Sequence, residues 1–142
     1  MNILAIGDVV GSVGCAFLRE KLPVIKKQYN VDVVIANGEN SADGNGILPT
    51  SARHLYDSGV HIITTGNHSF DLYDRDETLL RPSNYPVNAA PGRGLCVYDM
   101  GRRQIAVINL QGTAYMDNLR CPFEVVDELL KSQDLPKIVL VD

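Results

Sequence analysis

Three short apolar runs, each ending abruptly in a polar loop that contains glycine, restrict the architectures open to this chain. They are NILAI at 2–6, VDVVIA at 31–36 and VHIITT at 60–65. Their length and their β-branched residues suit buried strands. Between the first two, Phe17, Leu18, Leu22 and Ile25 recur at helical spacing over 15–28, with Lys and Arg at other positions. Pro23 falls inside that pattern and marks a point for a bend or an early stop. Between the second and third runs, Pro49 and Thr50 suit a helix start. Ala52, Leu55 and Tyr56 then share one face, and Gly59 suits the stop. Strand, helix, strand, helix, strand at this spacing is the signature of βαβ units. The expected class is therefore α/β with a largely parallel sheet.

The second half changes character. RPSNYPVNAAPGRG at 81–94 is rich in Pro and Gly and reads as an ordered loop or crossover. The runs 95–100 and 104–110, separated by Gly101, Arg102 and Arg103, read as a hairpin. Positions 123–130 have helical spacing, and KIVLV at 137–141 reads as a further buried strand.

Composition removes several classes. The 142 residues are 45% hydrophobic and 21% charged, ordinary for a soluble domain with a real core. No apolar run approaches about 18 residues, so no membrane span is expected. The start, MNILAIGDVVGSVG, lacks the basic segment of a signal peptide, which points to a cytoplasmic protein. A formal charge of −4 argues against general nucleic-acid binding. It leaves phosphate-bearing ligands open, because bound cations reverse a local field. Cys15, Cys96 and Cys121 are far apart and odd in number, which suits reduced thiols better than a disulfide framework or a zinc knuckle.

In an open α/β sheet, ligands bind beyond the carboxyl ends of the strands. Here those ends are Gly7-Asp8, Asn37-Gly38-Glu39-Asn40 and Gly66-Asn67-His68. If the three strands are parallel neighbours, Asp8, Glu39, Asn40, Asn67 and His68 meet at one edge. Two carboxylates, two amides and an imidazole suit a divalent metal such as Mn, Fe or Zn. Carboxylates gathered without a cation would repel and desolvate one another. Taken singly, each residue has a plainer reading. Asp8 could cap its loop, Glu39 could be a solvated carboxylate, and His68 could be a hydrogen-bonded turn residue. Their common position at strand ends favours the site. His54 reads as a surface residue and His61 as a packed or half-exposed strand residue. Asp43, Gly44 and Gly46 suit turn geometry, and Arg102 and Arg103 suit a solvated hairpin.

IGDVVGS at 6–12, NGENSADG at 37–44 and TTGNHSFD at 64–71 resemble the YmdB-like branch of the calcineurin-like metallophosphoesterases. RPSNYP at 81–86, PGRG at 91–94 and AVINLQG at 106–112 match the same branch, in register over the whole chain. The resemblance implies a metallophosphoesterase-type α/β sandwich, two divalent metal ions, and phosphodiesterase activity that includes cyclic nucleotides. By resemblance, Asp8 would bind one metal, Glu39 would bridge both, Asn67 would bind the second, and Asn40 would line the centre. His68 would sit beside the scissile phosphate as proton donor. Wider relatives carry a histidine where this chain has Val10, and GD where it has GEN. Both differences are normal for this branch.

The family continues past the strand matching KIVLVD into histidine-bearing segments, whereas this sequence contains only His54, His61 and His68. Residues 1–142 therefore read as the N-terminal part of such a domain, truncated after Asp142. A longer parent chain or another copy in a homo-oligomer would have to supply the remaining ligands. Two alternatives stand beside the enzyme reading. One is a non-catalytic half-domain that binds metal or nucleotide. The other is a Rossmann-like dinucleotide module suggested by Gly7, Gly11 and Gly14, although GxxxGxxG is not GxGxxG.

Overall fold

The computed structural model describes residues 1–44, 46–66, 76–86, 91–116 and 118–142. The first run forms β1 (Ile3–Ile6), and Gly11, at φ 59°, then opens α1 (Gly11–Tyr29). That helix starts before the apolar spacing at 15–28 begins, and it does not stop at Pro23. Pro23 and Arg19, whose carbonyl would have paired with residue 23, are both exposed, so water can replace the missing bond. The helix ends at Asn30, which adopts the left-handed conformation and donates its backbone N–H to Lys26 O.

Next come β2 (Val33–Asn37), α2 (Pro49–Asp57) and β3 (Ile62–Thr64). The two-residue strand β4 (Leu79–Leu80) was not apparent in the sequence pattern. β5 (Leu95–Asp99) and β6 (Gln104–Ile108) form the expected hairpin, α3 (Pro122–Ser132) follows, and β7 (Val139–Val141) comes last. One sheet has the order β1-β2-β3-β4 and is parallel throughout. The other has the order β5-β6-β7, with β5 antiparallel and β7 parallel to β6.

Both faces of the parallel sheet are covered. Val34 and Ala36 of β2 pack with Leu18 and Leu22 of α1 and Leu55 of α2. Val33 and Ile35, pointing the other way, pack with Ile105 and Val107 of β6. All four β2 side chains are essentially inaccessible. Val33, Val34 and Ile35 each contribute about 1.5–3 kcal/mol, and β2 is the strand on which two cores meet.

Two expectations of burial need correction. β1 and β7 are edge strands with one neighbour each, and their residues alternate between exposed and half-buried or are half-exposed. An apolar run reports a strand, but burial depends on what lies on the far side. Phe17 likewise shares the helical period of Leu18 and Leu22 yet is 63% exposed.

Candidate functional site

Because β1, β2 and β3 are parallel neighbours, their carboxyl ends lie at one edge. Backbone hydrogen bonds then lace the loops together. Val9 N–H donates to Asn37 O at 2.9 Å, Gly11 N–H to Asn40 O at 2.9 Å, and Gly38 N–H to Thr64 O at 2.9 Å. A Cβ at Gly38 would come within 2.9 Å of both Ile63 Cγ2 and Leu55 Cδ1, so any side chain there must displace them.

This lacing brings two of the five candidate side chains into contact. Asn40 Nδ2 donates to Asp8 Oδ2 at 2.8 Å. Glu39 N–H donates to Asn37 Oδ1 at 3.0 Å, which fixes the start of its loop. The Glu39 carboxylate lies directly over Gly66, where any Cβ would collide with it. Asp8 is exposed, and Glu39 and Asn40 are half-buried. Asn67 and His68 lie outside the described residues. Among the described residues, no group of three or more His, Cys, Asp or Glu side chains gathers to hold a metal.

Asp8 and Glu39 are therefore two carboxylates held at adjacent strand ends. Asn40 turns its amide nitrogen to Asp8, leaving only its carbonyl oxygen as a donor atom for a cation. That arrangement fits the chemistry of a hard divalent ion, with the Asp8 carboxylate oriented in advance by the Asn40 amide.

Residues that the sequence did not single out complete the same edge. Asn109, directly after β6, is 2% exposed and donates through Nδ2 to Thr65 O at 2.6 Å and to Leu80 O at 2.9 Å. Thr64 Oγ1 donates to Asp142 Oδ2, so the end of β7 also touches the end of β3. The one available signal for Asn109 was a polar residue inside the otherwise apolar run at 105–110. Asn84, from RPSNYP, is fully buried, donates to Gln111 O and Arg120 O, and accepts from Gln111 N–H.

The other histidines are placed differently. His61 Nδ1 accepts Val34 N–H at 2.9 Å, and its ring stacks on Tyr98. Burial, and then the Lys26 ammonium, push its pKa below the usual histidine value. His54 is not the surface residue expected. It is half-buried, and its Nε2 is enclosed without a hydrogen-bond partner. The cysteines are free. Burial raises the Cys15 thiol and pushes Cys96 up to about 11, which makes both poor nucleophiles. Among the described residues, no helix is long and apolar enough to cross a membrane.

Comparison with known proteins shows the family. Residues 4–142 match the family described as YmdB-like protein. The chain is 40% identical over 136 residues to the 2',3'-cyclic-nucleotide 2'-phosphodiesterase of Bacillus subtilis, covering 92% of this chain and 51% of that protein. A crystal structure of a hypothetical protein from Thermus thermophilus superposes with a TM-score of 0.89 at 37% identity, covering 99% of this chain and 56% of that one. A novel phosphatase from Mycoplasma pneumoniae does so with a TM-score of 0.89 at 30% identity, covering 99% and 53%. The NAD nucleotidase of Haemophilus influenzae shares the fold at 17% identity and a TM-score of 0.60. The chain thus spans about half the length of the relatives it matches. The match across residues 4–142 assigns the strand–loop–helix at Gly7, Gly11 and Gly14 to this family and not to a dinucleotide-binding module, and the chain belongs to the YmdB-like family.

Proposed function

We propose that these residues form the N-terminal part of a dinuclear metal-dependent phosphodiesterase acting on nucleotides, including cyclic ones. The observation that carries the reading is the pairing of Asp8 and Glu39 at adjacent strand ends, with Asn40 bonded to the first and Gly66 under the second. The name of the Bacillus subtilis relative supports the substrate class. Asp8, Glu39, Asn40 and Asn67 are the proposed ligands for two divalent ions of the Mn, Fe or Zn type. When bound, such ions supply Lewis-acid polarisation of the phosphoryl oxygens. Glu39, with two donor oxygens, suits the shared position, and neutral Asn67 limits the negative charge. His68 is the proposed general acid, delivering a proton to the leaving-group oxygen of the ester. Free thiols suit a cytoplasmic setting.

One observation favours a second reading. Among the described residues no group of three or more His, Cys, Asp or Glu side chains gathers to hold a metal, which suits a half-site that binds metal without turnover. Two measurements separate the readings. The chain is incubated with Mn²⁺, dialysed and analysed for metal, and then assayed on a 2',3'-cyclic nucleotide. Retained metal with hydrolysis, both abolished by Glu39→Gln, is the expected result. Hydrolysis unaffected by Glu39→Gln overturns the site. Retained metal without hydrolysis selects the half-site.

A further inference from the structure

We infer that Asn109 is a positioning residue for Glu39, acting through the Thr65–Gly66 peptide. The inference rests on the metal site proposed above. The Asn109 backbone is anchored independently of its side chain, since its N–H donates to Gly94 O at 2.9 Å and its carbonyl accepts Ser83 N–H at 2.7 Å. From that fixed base, Nδ2 reaches across from the second sheet to the Leu80 and Thr65 carbonyls.

The two acceptors lie at the ends of β3 and β4. Leu80 O also receives Thr65 N–H at 3.0 Å and Thr65 Oγ1 at 2.9 Å, so it keeps two partners when Asn109 is replaced. Thr65 O loses a 2.6 Å bond. That carbonyl belongs to the peptide leading into Gly66, and rotating the peptide moves the Gly66 Cα. The Glu39 carboxylate lies against that Cα, where a Cβ would sit. A buried amide on one sheet thus sets the floor beneath a carboxylate on the other. Such supporting contacts commonly control metal affinity.

The test uses the isotopically labelled 142-residue chain. Residual dipolar couplings report the orientation of the Thr65–Gly66 peptide, and Mn²⁺-induced broadening at Asp8 and Glu39 reports binding. Asn109→Leu should reorient the peptide and raise the Mn²⁺ Kd roughly 10–100-fold. Ile105→Ala, a core truncation at the far end of β6, controls for lost stability and should leave both readings unchanged. Wild-type couplings and Kd in Asn109→Leu overturn the inference, as does equal weakening by Ile105→Ala. If the wild-type chain shows no broadening at Asp8 and Glu39, the metal reading fails. The couplings then still decide whether Asn109 orients the peptide. Should Asn109→Leu fail to fold, Asn109→Ser carries the same measurements.

Discussion

Two groups of strand ends at the same edge handle polar groups in opposite ways. After β6, Asn109 and nearby Asn84 are buried, and each amide makes at least two hydrogen bonds to backbone. After β1 and β2, Asp8 is exposed, and Glu39 and Asn40 are half-buried. The first region uses polar groups to join segments, where a lost bond strands a buried partner. The second holds charge where water or a cation can reach it. An asparagine at the end of an apolar run is common to both, and only burial tells them apart.

The contrast predicts a hierarchy of effects. Leu55→Ala, at 0% exposure beneath the β2 loop, should cost about 2–5 kcal/mol in urea unfolding. A smaller loss would show that the core under the site collapses to fill the space. Asn84→Ala should cost about 1–3 kcal/mol, because it leaves Gln111 and Arg120 backbone groups without their partner. Stability unchanged in that variant would erase the distinction between joining and ligand-holding amides. Asp8→Asn, in the exposed region, should stay within about 0.5 kcal/mol of wild type while losing Mn²⁺ binding. A large stability loss there would make Asp8 a structural residue.

The smallest expected effect is a pH dependence. In the folded chain the His61 pKa lies below its ordinary 6.5, first through burial and then through Lys26. The unfolded chain therefore takes up the proton first as pH falls. This contribution to stability is fully present above pH 6.5 and is lost as pH falls from there through the folded pKa. The urea midpoint should drop between pH 7.5 and 5.5 in wild type, and less so in His61→Phe. Equal drops would assign the change to other groups.

Much of this was legible in the sequence. The β1-to-β3 alternation was readable because apolar runs and helical spacing persist over several residues each. Parallel order then made it a geometric consequence that Asp8 and Glu39 follow neighbouring strand ends. β4 was not readable, since two leucines carry no period, and it exists through pairing with Ile63 and Thr64. The exposure of β1, β7 and Phe17 was hidden for a related reason, because pattern records propensity and not neighbours. The Asn40–Asp8 bond and the reach of Asn109 are side-chain events between distant segments. Asn67 and His68, clear in the sequence, lie outside the described residues.

β2 has a consequence for how the chain comes apart. Its successive residues alternate between two cores, so it has no spare face. A slip of one residue would exchange Val33 and Ile35 with Val34 and Ala36, mismatching both cores at once. Neither core can therefore loosen alone by shifting this strand. The helices and the second sheet should melt together, giving one transition by every probe.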